Sequence, residues 1–301
     1  LVRGSVTDEV SLKRCFSAKP EVVFHLAAFF ANQNSVDYPA SDLMTNGLGT
    51  LLLLQYAQMC GVQRFVYASS GCSIYGSAAP LPLLETFMSM HLLSPYQITK
   101  MVGELYSNFF HHHYQLPIVN LRLFNSYGPG EIPGQYRNVI PNFIFYAMQG
   151  MPLPLTGTGE ETRDFTYVDD IVDAFLRAGF EDSAVGQEMN IAGGSEVNIR
   201  DMAHLINELT GNASGVIMMP PRIWDTKKRL LASIEKATTL IGYAPQVSFS
   251  AGLEQTIAWF KANWPRIVAE ARFPPGMSAA VSGLIVEASE RRVGSDRDAH
   301  A

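Results

Sequence analysis

Three short apolar runs, set apart by longer helical stretches, constrain this 301-residue chain more than any other feature. They are Glu21–Ala28 (E-V-V-F-H-L-A-A), Arg64–Ser69 (R-F-V-Y-A-S) and Pro117–Phe124. Runs this short and this apolar suit strands covered on both faces of a parallel sheet. Between them, Tyr38–Cys60, closed by Gly61, and the stretch from Pro95 read as helices. That strand–helix alternation predicts an α/β fold with a doubly wound parallel sheet. In such sheets ligands bind beyond the carboxyl ends of the strands. His25 to Ala28, Ser69–Ser70 and Phe124–Asn125 all fall at those ends.

One pair on the second helix carries chemistry. Tyr96 and Lys100 stand four residues apart in P-Y-Q-I-T-K, so both lie on one helix face. Ser94 is placed to cap that helix and Pro95 suits its first turn. A free tyrosine, with a pKa of about 10, is a poor base at neutral pH. A fixed cation beside it favours the phenolate, so the pair predicts a base that takes a proton from an alcohol as hydride leaves the carbon. The competing reading is a surface lysine one turn after a half-buried tyrosine.

From Tyr127 the character changes. Y-G-P-G-E-I-P-G-Q-Y is rich in turns, and Met151–Gly159 is a second Pro/Gly segment. Helices are predicted at Asn138–Gln149, Asp169–Phe180, Asn198–Thr210, Ser233–Ile241 and Ser250–Asn263, with strands at Thr162–Val168 and Gln187–Ala192. After Pro265 the periodicity fades, and residues 265–301 are expected to be a mobile tail.

Composition narrows the function classes. Apolar residues make up 47% and charged residues 17%, as in ordinary globular domains. A net charge of −6 without a basic run argues against nucleic acid and anionic membranes. Cys15, Cys60 and Cys72 are too few and scattered for a disulfide framework or a zinc site, which fits a reducing cytoplasm. Leu51–Leu54 is far short of the roughly 20 apolar residues that span a bilayer, and no signal peptide is expected. His111 to His113 point in different directions on a helix and cannot converge on a metal. Asp169 and Asp170 suit a helix cap better than a metal site. Trp224, Trp259 and Trp264 read as packing or lid residues.

Taken in order, the motifs are H-L-A-A at 25–28, N-G-L-G-T at 46–50, Y-A-S-S-G-C-S-I-Y-G at 67–76, Y-Q-I-T-K at 96–100 and R-L-F-N-S-Y-G-P-G at 122–130. V-I-P-N-F at 139–143, G-T-G-E-E-T-R-D-F-T-Y-V-D-D at 157–170 and N-I-A-G-G at 190–194 follow. From about Val2 to Asn263 this set resembles the extended short-chain dehydrogenase/reductases, specifically the nucleotide-sugar epimerases and dehydratases. The resemblance implies a Rossmann-like cofactor domain over 1–127, continued by about 161–193. A smaller α+β substrate-binding domain would be formed by 128–160 and 194–264. It implies NAD, or NADP, as cofactor and a homodimer built on the helices at Tyr38–Cys60 and Pro95–Tyr114. That family opens with a strand and a G-x-x-G-x-x-G turn that holds the cofactor pyrophosphate. No such turn stands in this sequence, which is expected to begin just after the second strand of the usual fold.

By the same resemblance, Tyr96 is the base, Lys100 tunes it and holds the nicotinamide ribose, and Ser70, or else Ser73, bonds the reacting hydroxyl. His25, Ala27, Ala28, Asn46, Ser69 and Phe124 would approach the cofactor. Asn125, Val139, Arg163 and Arg229 would hold the nucleotide and diphosphate. Arg163 has the fork of donors that phosphate oxygens need; its alternative is a structural pair with Asp164 or Asp169. Dehydratases and the UDP-glucuronate decarboxylases carry a carboxylate just after the catalytic hydroxyl. Here Gly71, Cys72 and Ser73 occupy that stretch. The expected activity is therefore a 4-epimerase acting on a UDP-hexose. The alternatives are a decarboxylase, a 4,6-dehydratase, or an inactive sugar-nucleotide-binding fragment.

Overall fold

A computed structural model describes residues 1–221 and 227–273. In chain order its elements begin with α1 (Glu9–Phe16), β1 (Val22–His25), α2 (Asn32–Asp37) and α3 (Pro39–Asp42), which runs through a π-helical turn (Leu43–Leu48) into α4 (Gly49–Met59). There follow β2 (Arg64–Ser70), α5 (Gly71–Ile74), α6 (Pro95–Tyr114), β3 (Ile118–Leu123), β4 (Ser126–Tyr127), α7 (Val139–Met148), β5 (Leu153–Thr156), β6 (Thr162–Asp164) and β7 (Thr166–Tyr167). The chain continues with α8 (Val168–Phe180), a 3-10 turn (Asp182–Ala184), β8 (Glu188–Ile191), β9 (Glu196–Asn198), α9 (Ile199–Thr210), β10 (Val216–Met219), α10 (Glu235–Ile241), α11 (Phe249–Ala262) and α12 (Trp264–Glu270).

The chain divides into two compact units. The first comprises Leu1–Ser126, Thr162–Val197 and Arg229–Phe249. Its sheet has the order β1-β2-β3-β8 with every pair parallel. Alternation along β2 divides the core. Phe65 and Tyr67 pack with Leu12, Phe16, Leu53, Leu54, Ala57 and Phe110 from α1, α4 and α6. Val66 and Ala68 pack on the other face with Ile171, Ala174, Phe175 and Ala178 of α8 and Ala237 and Ile241 of α10. Helices on both faces make the sheet doubly wound, as the sequence predicts. A third cluster, including Ile74, Tyr75, Leu83, Phe124 and Leu230, lies under the segment after α5.

The contact between α6 and the sheet is very close at Gly103. A Cβ there would lie 2.2 Å from the Tyr67 hydroxyl, so only glycine lets the helix settle at this depth.

The second unit comprises Tyr127–Glu161, Asn198–Lys228 and the chain from Ser250. β10 pairs with β5 in parallel, and α7 lies against α9 and β5. The buried side of α7 (Ile140, Phe143, Ile144, Tyr146) and of α9 (Met202, Ala203, Ile206) supplies its apolar core.

Two segments depart from expectation. Arg229–Phe249 belongs to the first unit, because α10 and Tyr243 complete the core over β8. Amphipathic periodicity shows that a helix has a buried face, not which sheet buries it. Residues 265–273 are not a loose tail: Trp264 and Phe273 both pack on Phe145, and Gln135 N–H donates to Arg272 O at 2.9 Å. Residues 274–301 and Trp224 lie outside the described residues. Among the described residues, no helix is long and apolar enough to cross a membrane, and no His/Cys/Asp/Glu cluster could hold a metal.

Candidate active site

The site forms where β2 ends and α6 begins. Ser94 caps α6 by accepting from Gln97 N–H at 3.3 Å, as predicted. Helix α2, which the sequence reading missed, holds the same end. Ser94 donates to Asn32 Oδ1 at 2.6 Å, and Tyr96 N–H donates to Ser35 Oγ at 3.0 Å. The first turn of α6 is thereby fixed from both sides.

On that turn Tyr96 and Lys100 share a face, both nearly buried. Ser70 lies beside the Tyr96 hydroxyl, whose ionised form it favours, and Ser70 Oγ lies 2.9 Å from Ser73 Oγ. The two serines that the sequence left as alternatives are thus bonded to each other next to Tyr96. Lys100 Nζ donates to Ala68 O at 2.8 Å and lies 5.1 Å from the Tyr67 ring and 5.7 Å from the Tyr96 ring. Among the described residues, Ala68 O is its one hydrogen-bond acceptor, which leaves two buried N–H donors for a ligand.

The electrostatics correct the simple expectation. Burial pushes the Tyr96 phenol well above its ordinary value, and Cys72 and Asp42 raise it further; Ser70 pulls the other way. Burial also lowers Lys100 to about 8, against the raising influence of Asp42 and Glu104. Desolvation of the phenol outweighs the neighbouring cation, so the resting pair is a neutral phenol beside an ammonium.

The remaining predicted residues divide. Ala27 is exposed and Ala28 half-buried in the loop after β1, where a ligand can reach them. His25 is instead a core residue. Its Nε2 lies 2.8 Å from Thr50 Oγ1, its ring packs near Phe65 and Tyr67, and burial, then the Lys100 charge, lowers it to about 3. Asn46 holds the loop rather than presenting its amide. It accepts from Phe29 N–H at 2.7 Å and donates to Phe29 O at 3.1 Å. Ser69 donates to Glu104. Phe124 is fully buried beneath Gly71, where a Cβ would lie 1.9 Å from its ring. Three of them sit at strand ends or next to them and Asn46 in the π-helical turn, but each points inward.

On the proposed sugar-nucleotide side, Asn125 takes a positive φ of 29° and donates to Asp164 O at 2.8 Å. Val139, half-buried, opens α7 in the second unit. Arg163 Nη1 donates to Thr162 O at 2.8 Å. Its suggested partner Asp164 is buried and accepts from the N–H groups of Gly193, Gly194 and Ala232. Arg229 grips Glu196 with Nε at 3.0 Å and with Nη2, an ion pair rather than an open anion site. Asp170 does not cap α8; it accepts from Gln246 and Val247 N–H.

The sequence reading also missed a buried polar network under the site. Arg122 engages Glu104, the Tyr75 hydroxyl and Glu85 O, and Tyr75 donates to Asn190 Oδ1 at 2.6 Å. Glu104 stands one further turn along the Tyr96–Lys100 face, and that spacing was the available signal.

Comparison with known proteins agrees with this geometry. Residues 1–192 match the NAD dependent epimerase/dehydratase family. The chain is 35% identical over 243 residues to a UDP-glucose 4-epimerase of Mycolicibacterium smegmatis, covering 81% of this chain and 77% of the relative. Its structure superimposes on an epimerase from Methanothermobacter thermautotrophicus with a TM-score of 0.90 at 54% identity, covering 90% of this chain and 81% of that one. It also matches a UDP-glucose 4-epimerase of Thermus thermophilus, solved with NAD, with a TM-score of 0.80 at 30% identity and coverage of 86% and 84%. With the serine pair beside Tyr96 and the lysine one turn on, these likenesses make the chain a member of the NAD dependent epimerase/dehydratase family.

Proposed function

We propose that this chain is a nucleotide-sugar 4-epimerase acting on a UDP-hexose with NAD. The observation that carries the reading is the bonded Ser70–Ser73 hydroxyl pair beside Tyr96, with Lys100 on the same face as the tyrosine. The relatives' substrates support the UDP-hexose. Helix α5 places Gly71, Cys72 and Ser73 beside Ser70, none of them an acid. That favours epimerisation over dehydration, because eliminating water from a neighbouring carbon needs a further proton carrier.

When bound, the nicotinamide cofactor supplies the acceptor and then the donor of hydride. Lys100, with two uncommitted donors, is suited to the ribose hydroxyls, and the exposed Ala27 side of the loop after β1 offers it room. Tyr96, once it has given up its own phenolic proton, removes the proton of the sugar's C4 hydroxyl and returns it to the other epimer. Ser70 orients that hydroxyl, and Ser73 extends the path by which the phenolic proton leaves. Burial of Tyr96 keeps water from the oxidised sugar. Arg163 and Asn125 are the diphosphate and nucleotide candidates on the first unit, and Val139 on the second.

The helices α4 and α6 pack together, and Leu105, Tyr106 and Phe109 of α6 and Leu43, Met44 and Leu48 of the π-turn are exposed. A homodimer through this apolar surface is part of the proposal, as is a cytoplasmic location in keeping with three free cysteines. Light scattering that gives a monomer mass at micromolar concentration would remove the dimer.

The test is direct. The chain is incubated with UDP-glucose and NAD, and the products are separated and weighed. UDP-galactose of unchanged mass is expected. Loss of carbon dioxide from UDP-glucuronate, or of water from a nucleotide hexose, would reassign the reaction. Tyr96→Phe should lower turnover by at least about 10²-fold.

A further inference from the structure

We propose that Asp42 is a positioning residue for Lys100: its buried carboxylate supplies the countercharge of the ammonium and ties the catalytic helix to the loop after β1. The proposal rests on the role given to Lys100 above.

Asp42 ends α3, immediately before the π-helical turn, and is completely buried. In that turn the Gly49 N–H reaches back to Met44 O, five residues away. Each Asp42 oxygen has one strong partner. Oδ2 accepts from Thr99 Oγ1 at 2.7 Å, and Oδ1 accepts from Asn46 Nδ2 at 2.8 Å. Thr99 is the residue before Lys100. Asn46 in turn clamps the Phe29 backbone through both its amide oxygen and its amide nitrogen. One carboxylate therefore joins three segments: the π-turn, α6 at the position beside Lys100, and the loop that passes Ala27 and Ala28.

The charge pattern singles out the same group. Lys100 is buried and, among the described residues, makes no ion pair. The groups facing it are the phenols of Tyr67 and Tyr96, His25, Glu104 and Asp42. The phenols and His25 are neutral at physiological pH, and Cys72 lies beyond Tyr96. Glu104 is gripped by both Arg122 Nε and Nη2, so its charge is already answered. Among the described residues, Asp42 has neutral hydrogen-bond donors only. Its negative charge is the one left to balance the ammonium, and it is the first among the influences holding Lys100 protonated against burial. The same charge holds the Tyr96 phenol protonated.

The test reads Lys100 directly and needs neither cofactor nor sugar, so it stays informative if the epimerase reading fails. The chain has seven lysines, few enough for ε-carbon-labelled lysine to be followed by NMR across pH, with Lys100→Arg assigning the signal. In Asp42→Asn, close in shape but neutral, the Lys100 midpoint should fall by about one pH unit. Asp42→Glu, which keeps the charge, should hold it near the wild-type value. Asp42→Ser, smaller and neutral, should reproduce the fall and serves if Asp42→Asn does not fold. An unchanged midpoint in a folded neutral variant overturns the proposal, as does an equal fall in Asp42→Glu. With turnover in hand, both limbs of the pH profile should move to lower pH in Asp42→Asn, whereas a merely structural defect would lower the rate without moving the limbs.

Discussion

Arg122 and Glu104 meet in the floor of the site with side chains only 2% exposed. Nε reaches both carboxylate oxygens at 3.1 and 3.2 Å, and Nη2 reaches Oε2 at 2.8 Å. Such a pair contributes little net stability while intact, because desolvation offsets the attraction, yet breaking it strands a buried charge. Arg122→Met should therefore destabilise the chain by about 3–5 kcal/mol, and pairing it with Glu104→Leu should restore a good part of that. Denaturant unfolding of the two single variants and the double variant decides the matter; a double variant worse than both singles would contradict it.

The two serines can be separated by kinetics. Ser70 lies beside the Tyr96 hydroxyl, and Ser73 is bonded to Ser70. Ser70→Ala should cost turnover about 10²-fold and Ser73→Ala about tenfold or less. A reversed order would make Ser73 the hydroxyl that meets the substrate.

His25 gives stability a pH dependence. Its folded value, about 3, lies below the unfolded value of about 6.5. Between those values only the unfolded chain takes up the proton. The stabilisation is complete above about pH 6.5 and is lost as the pH falls toward 3, amounting to about 2 kcal/mol between pH 7 and 5. His25→Gln, which does not titrate, should flatten the unfolding free energy over that interval by about this amount; an equal slope in both proteins would place the acid sensitivity elsewhere.

Gly71 should not accept a side chain. A Cβ there would fall 1.9 Å from the Phe124 ring, and both residues are buried. Gly71→Ala is expected to cost about 1–3 kcal/mol of thermal stability through overpacking. Adding Phe124→Leu should make the alanine less harmful, and strict additivity of the two changes would argue against a direct clash.

What could be read from the residue order follows from the range of the forces involved. The strands Arg64–Ser70 and Ile118–Leu123 were visible because sheet burial on both faces leaves an apolar run, and Val22–His25 by a similar run although it is only half-covered at the end of the sheet order. The Tyr96 helix was visible because its cap and its face are local. The helix Asn32–Asp37 was not, since N-Q-N-S-V-D has little apolar periodicity and is held by Ser94 and Tyr96, some sixty residues away. The commitments of Asn46, Ser69 and Arg229 were hidden for the same reason. Each side chain has a type suited to a ligand, and only the folded chain shows that a distant backbone group or carboxylate already engages it. The raised pKa of Tyr96 was likewise beyond spacing, because burial is a property of everything packed around it.

Gly103 sets the working height of the catalytic helix. With the Tyr67 ring pressed against its bare Cα, α6 lies close enough to the sheet for Lys100, three residues earlier, to touch Ala68 O. The ammonium's height is thus set by the reach of one phenol, whose hydroxyl end stands against Gly103. A bulkier residue at either position would lift the lysine off the strand end and carry its charge away from Tyr96, although neither Gly103 nor Tyr67 need ever meet a substrate.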